Sequence, residues 1–215
     1  MSGPPAPAPL SGEDLRLAAR VCGEALRPLL DRDWSALAAE LEMSCEDTLA
    51  HVVSALGGYG ARLAVRSPGP LPFRLSAVPR EGEIGPRTLL DAMEAMAAVL
   101  ALVVRGSPPE ARAYHVCGMA DPAGFVAMGC DEMLVHADDI ARGLGGPELR
   151  PPEDLCRCVV RRLFPWARVD ASAWPTLRWA NGRQTLPGRP RLGPDWYWHA
   201  APVEEWDGQR PPGVA

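Results

Sequence analysis

The chain contains no lysine, and all 22 of its basic residues are arginine. That absence excludes Schiff-base chemistry, attachment of a pyridoxal-type cofactor and the phosphate-gripping lysine of a Walker loop. There is no basic run either. With a net charge of −5, nucleic acid and anionic membrane surfaces are poor partners, and a small molecule is the default. Long apolar runs are missing too: residues 95–104, the longest, reach about half of the roughly 20 residues a membrane span needs. The first ten residues, Met1-Ser-Gly-Pro-Pro-Ala-Pro-Ala-Pro-Leu10, have neither the basic nor the apolar part of a secretory signal. They are expected to form a disordered lead-in, and the protein is expected to be cytoplasmic. Six cysteines without a secretion signal then read as reduced thiols rather than a disulfide framework. Also absent are a G-x-S-x-G nucleophile elbow, a G-x-G-x-x-G fingerprint and a C-x-x-C pair.

What is present is apolar enough to fold. The 215 residues, 47% of them hydrophobic, can bury one full core, or a larger domain with a small appendage. Leu15, Ala19, Cys22, Leu26 and Leu29 recur at helical spacing behind a Ser11 and Asp14 capping pair, which predicts a first helix over 12–30. Ser44 and Asp47 cap a second over about 45–65. Residues 67–87, rich in Pro and Gly, read as a long loop with a short extended piece at 73–78. Pro86 opens a third helix ending at Gly106, and Asp121 with Pro122 opens a fourth that runs to about Gly143. Residues 112–118 read as extended. A fifth helix follows Pro152 through Phe164. The last fifty residues then hold six of the seven Trp, and nine of the 24 Pro follow Pro151. The expected fold is mainly α. An up-and-down four-helix bundle over 11–147 is followed by 148–215, the fifth helix and a small Trp- and Pro-rich lobe, taken as α+β with a wrapped extension as the alternative.

Chemistry concentrates in helix four. In Asp131-Glu-Met-Leu-Val-His136-Ala-Asp-Asp139, Glu132 and His136 stand four residues apart, one turn along the same face. They border the apolar stripe, while Asp131, Asp138 and Arg142 fall on a separate face expected to meet solvent. The pair can share a metal ion or form a partly buried ion pair. His51 on helix two, beside the small residues Ala55 and Gly58, is either a third ligand or a core histidine bonded to backbone. His, Glu and His make a ligand set used by catalytic zinc with one position open. His115 and Cys117, two apart in an extended segment, are a minor rival pair. Cys156 and Cys158 point apart on a helix, and Cys22, Cys45 and Cys130 read as small core residues.

Three stretches resemble a known family: Trp34 leading to Cys45-Glu-Asp-Thr-Leu-Ala-His51, then Gly124 through Asp139, and Leu177-Arg-Trp-Ala-Asn-Gly-Arg183 through Arg189 with Trp196-Tyr-Trp-His199. Together they resemble the DinB-like superfamily, in its mycothiol-dependent maleylpyruvate isomerase branch. The resemblance implies a DinB-like bundle whose metal ligands fall on His51, Glu132 and His136. It implies a divalent ion, zinc before nickel, iron or manganese, and mycothiol as thiol cosubstrate. On this reading the metal activates the thiol toward an electrophilic small molecule, in a transferase or isomerase reaction. Asp139, one turn beyond His136, would orient a ligand or take a proton, or be a helix-end charge. The C-terminal lobe would close the pocket, with Arg178, Arg183 or Arg189 as holders of a substrate carboxylate, or as solvated charges. His115 would reach the pocket mouth or cap backbone. Other readings are a metal-dependent hydrolase with water in the open position and a binding protein without turnover. A monomer or homodimer is expected.

Overall fold

The structure, a computed structural model, describes residues 10–77, 85–169 and 172–210. Residues 1–9 of the expected ten-residue lead-in, and Val78 at the end of the expected extended piece, lie outside them. The chain is mainly helical. Four long helices, α1 Gly12–Leu26, α2 Cys45–Val65, α3 Pro86–Arg105 and α4 Pro122–Gly143, pack around one core. Their starts are set by the capping residues read from the sequence. The Ser11 side chain accepts from the Glu13 N–H while the Asp14 carboxylate accepts from the Ser11 N–H at 2.7 Å. Ser44 Oγ accepts from the Asp47 N–H at 3.0 Å, and Asp121 Oδ1 from the Gly124 N–H at 2.8 Å. Each cap satisfies a backbone donor that the first helical turn leaves open. The first helix is shorter than expected because it tightens into a 3-10 turn, Arg27–Leu29, at Pro28.

The wiring differs from an up-and-down bundle. Gly12 lies against Ala101, and Arg27 pairs with Asp91 and Glu94, so α1 and α3 are antiparallel. Gly57 faces Met96 and Gly60 faces Leu100, which makes α2 and α3 parallel. The Cys22 thiol donates to the Met133 carbonyl, so α4 is parallel to α1; the Cys45 thiol donates to the Ile140 carbonyl, so α4 is antiparallel to α2. The order is up, down, down, up. The bundle runs round as α1, α3, α2, α4, placing α1 diagonally across from α2. Residues 66–85 make the return possible: an α2 of about 31 Å is matched by roughly nine extended residues.

Two further expectations are corrected. Residues 112–118 are not one extended run but turn back as a hairpin, β1 Ala113–His115 with β2 Gly118–Ala120, paired Ala113 to Ala120. Gly118, at φ +130°, takes a backbone angle other residues avoid, which lets the chain reverse after Val116 and Cys117. After α5 Glu153–Leu163 and α6 Ala173–Ala180 the described residues form no strand, only a 3-10 turn at Val203–Glu205 and a bridge from Leu186 to Arg189. The tail is an irregular wrap rather than an α+β lobe. Pro187, Pro190 and Pro194 remove the donors a ladder would need. No helix among the described residues is long and apolar enough to cross a membrane.

Candidate metal centre and its cavity

Because α2 and α4 run antiparallel side by side, His51 on one meets Glu132 and His136 on the other. Glu132 Oε2 lies 3.2 Å from His51 Nε2 and 3.3 Å from His136 Nε2. The His51 and His136 rings meet edge to face with centroids 5.3 Å apart. One ligand atom from each of the three residues falls within 4.8 Å of the other two. Tetrahedral zinc with bonds near 2.05 Å sets its ligand atoms about 3.3 Å apart, so the carboxylate-to-imidazole separations match the edges of such a site. The set is buried on its α4 side and open on its α2 side. Side-chain exposure is 10% for Glu132, 14% for His136 and 46% for His51.

A second layer of side chains holds these groups. The Tyr59 hydroxyl, two turns beyond His51, donates to Glu132 Oε1 at 2.9 Å, leaving Oε2 to the imidazoles. His136 Nδ1 is buried without an aligned hydrogen bond, yet stands 3.4 Å from Asp139 Oδ2. Asp139 in turn accepts from Arg183 Nε at 3.0 Å and Arg142 at 3.0 Å. A carboxylate behind the outward nitrogen of a histidine is the usual support of a metal ligand. Burial opposes charge here, but the contacts prevail. Despite burial, the hydrogen bonds of His136 and His51 hold the Glu132 carboxyl well below its ordinary range. His136, which burial would lower, is carried up to about 9 by Asp139 and Glu132. Asp139, which burial would raise, is held below its ordinary value by His136 and Arg183. Without an ion the same groups form a buried ion-pair cluster.

Two cavities adjoin the cluster. The larger, about 680 Å³, is lined by His51, Tyr59, Arg62, His115, Glu132 and Trp198 among others. The smaller, about 230 Å³, lies between His136, Asp131, Asn181, Arg183, Trp196 and Trp198. Trp196 and Trp198 come from the tail, which thus walls the site. His115 reaches the larger cavity, and its Nδ1 also accepts from the Cys117 N–H at 3.2 Å, so both of its expected roles are present. Burial, helped by the positive charge of Arg62, lowers its pKa to about 4. Its pairing with Cys117 across the turn is a backbone contact; among the described residues the group that could hold a metal ion is His51, Glu132 and His136.

The other expected residues separate. Arg183 lines the smaller cavity, with Nε on Asp139 and NH1 on the Asn181 carbonyl at 2.9 Å. Arg178 is 9% exposed and joins Glu148 at 2.7 Å and Asp138 at 3.3 Å, outside the lining of both cavities. Arg189 also lies outside it, over the Trp179 ring at 5.1 Å and on the Arg168 carbonyl. The face of α4 expected to meet solvent is covered. Asp131 and Asp138 are each 1% exposed, because Asn181 and Arg178 from α6 and its C-cap close over them. Burial pushes the Asp131 carboxyl up to about 7, against its bond from Asn181. Tyr59 and Arg62 were missed, although at eight and eleven residues from His51 they return to its side of a 3.6-residue helix. Asn181, Trp196 and Trp198 lie in the C-terminal stretch expected to close the pocket, but spacing gave none of them an individual role, since only the folding of the tail brings them to α4. The chain matches no protein-family model, no curated protein and no solved structure.

Proposed function

We propose that the protein is a metal-dependent, thiol-utilising transferase or isomerase acting on an electrophilic small molecule. Its reading as a DinB-like protein of the mycothiol-using type is part of the same proposal. The observation that carries it is the His51, Glu132 and His136 cluster, braced from behind and opening on a cavity. A divalent ion there, zinc by its ligand set, would lower the pKa of a bound thiol and yield a thiolate at neutral pH.

The chain's own thiols support an external one. Burial raises all six cysteines above their ordinary value, so none is a ready nucleophile. A small-molecule thiol such as mycothiol supplies what they do not. Tyr59 fixes the Glu132 carboxylate, and Asp139 positions His136. Two guanidinium partners make Asp139 a positioning residue rather than a proton acceptor. His115, neutral at pH 7 and accepting at Nδ1, carries its proton on Nε2, so it offers a donor and not a base. Trp196 and Trp198 wall the smaller cavity beside the site.

Elemental analysis of wild type beside His136→Ala and Glu132→Ala, each checked for helical circular dichroism, tests the metal. About one divalent ion per chain, absent from both folded variants, is expected. Consumption of maleylpyruvate or monochlorobimane with and without mycothiol tests the thiol. A wild type that retains no ion after exposure to zinc, nickel, iron and manganese would overturn the proposal. Turnover indifferent to thiol would reassign the site to hydrolysis.

A further inference from the structure

Three turns along α2 from His51, Arg62 folds back toward the cluster. Its NH1 comes within 3.0 Å of where a Cβ on Gly58 would stand, and its Nε is buried without a hydrogen-bond partner. The guanidinium thus lies over the glycine, and both residues line the larger cavity. Gly58 is seven residues from His51, about 10 Å along the helix axis.

Most of the chain's buried or half-buried arginines have carboxylate partners. Arg27 pairs with Asp91 and Glu94, Arg142 with Asp138 and Asp139, Arg162 with Asp121, Arg178 with Glu148, and Arg183 with Asp139. No carboxylate among the described residues pairs with Arg62. The one acidic residue lining its cavity, Glu132, is already bound by Tyr59 and His51. Arg74 adds a second positive charge at the exposed rim. A half-buried cation without a counter-charge is costly, so the cavity lacks one negative group.

The lining suggests the shape of what is missing. The His115 ring sits 5.7 Å from Tyr59 and 5.7 Å from Trp198, tilted only 32° from the latter, so the wall is aromatic. We infer that this cavity binds a flat aromatic monocarboxylate. Its carboxylate forms a two-pronged pair with Arg62, its body lies against His115 and Trp198, and its far end reaches the His51 side. A planar guanidinium matches the two oxygens of a carboxylate, and its single charge balances a monoanion. Arg74 steers such an anion inward. That the far end is the reacting end rests on the proposed function; the carboxylate subsite does not.

The test compares cinnamate with cinnamamide, two molecules of one shape that differ in charge. Binding is read by calorimetry and by quenching of tryptophan fluorescence, in zinc-loaded and in chelator-treated protein. Wild type is expected to prefer cinnamate by at least about tenfold in both states. Arg62→Gln should remove the preference while leaving cinnamamide binding and zinc affinity unchanged, and Arg62→Lys should restore part of it. Equal or undetectable binding of the two by wild type would overturn the inference, as would a preference that survives in Arg62→Gln. A preference that chelation abolishes would assign the carboxylate to the metal instead, and also overturn it. Failure to load zinc would sink the proposed function and leave the chelator-treated comparison intact.

Discussion

The Tyr59 hydroxyl donates to Glu132 Oε1 at 2.9 Å, and this contact divides the two carboxylate oxygens between two tasks. Oε1 anchors the side chain to α2, while Oε2 faces both imidazoles. Tyr59→Phe keeps the ring and removes only the donor. Stability should fall by about 1–2 kcal/mol, the usual cost of stranding a buried acceptor. Zinc affinity should fall by about tenfold, as is common when the support of a ligand is lost. Denaturant titration and competition with a chromophoric chelator check the two effects, and unchanged affinity would show that Tyr59 does not brace the site.

Stability of the metal-free protein should depend on pH in a defined direction. The pKa of His136 is raised to about 9 from an ordinary 6.5, so the folded state favours its protonated form. Its contribution is complete below about pH 6.5, declines from there, and is gone above about 9. Glu132 and Asp139 are depressed, so their contributions are present above about pH 4.5 and are lost as the solution becomes more acid. Urea unfolding in the presence of chelator should therefore show greater stability at pH 6 than at pH 9.5, by up to about 3 kcal/mol. Zinc competes with that proton, so its affinity should rise over the same interval, with proton release measurable by calorimetry in two buffers.

Gly129 marks where the four helices converge. A Cβ there would meet Leu15 at 2.7 Å, Leu56 at 3.1 Å and Leu100 at 3.2 Å. Gly129→Ala gains up to about 1 kcal/mol of helix propensity but overpacks the core by about 1–3 kcal/mol. The overpacking should win. Net destabilisation by thermal unfolding, with weakened zinc binding one turn away at Glu132, is the expected outcome; a stabilised protein would contradict the packing.

Arg178→Met separates a structural arginine from a binding one. It strips Asp138 of one partner in a site 1% exposed, although Arg142 and the Leu149 N–H remain. A loss of about 2–3 kcal/mol is expected, below the full cost of breaking a buried pair because two contacts survive. Cinnamate affinity should stay at the wild-type value. A selective loss of that affinity with stability intact would return Arg178 to the substrate-binding role the sequence suggested.

Local features were legible in the residues. Ser44, Asp121 and Pro122 announce where α2 and α4 begin, because a cap acts through backbone groups two or three residues away. The one-turn spacing of Glu132 and His136 follows from helical pitch alone, and small residues beside His51 marked the face that would have room. The tail's Trp and Pro content separated it from the bundle and left an α+β lobe and a wrapped extension both open; the fold takes the wrap.

Relations between distant segments were not legible. The direction of α3 depends on how the chain between 66 and 85 returns, and periodicity is the same whichever way a helix runs. Asp131 and Asp138 looked like solvent charges because a helical wheel describes only one helix; Asn181 and Arg178 bury them from α6 and its C-cap. The arginines were sorted the same way. Composition counts 22 identical charges, whereas the fold gives Arg178 to Glu148, Arg183 to Asp139, and leaves Arg62 lining a cavity whose one carboxylate, Glu132, is bound by other side chains. Caps and spacing act within a few residues through short-range geometry, whereas burial and ion pairing act between surfaces that only folding brings together.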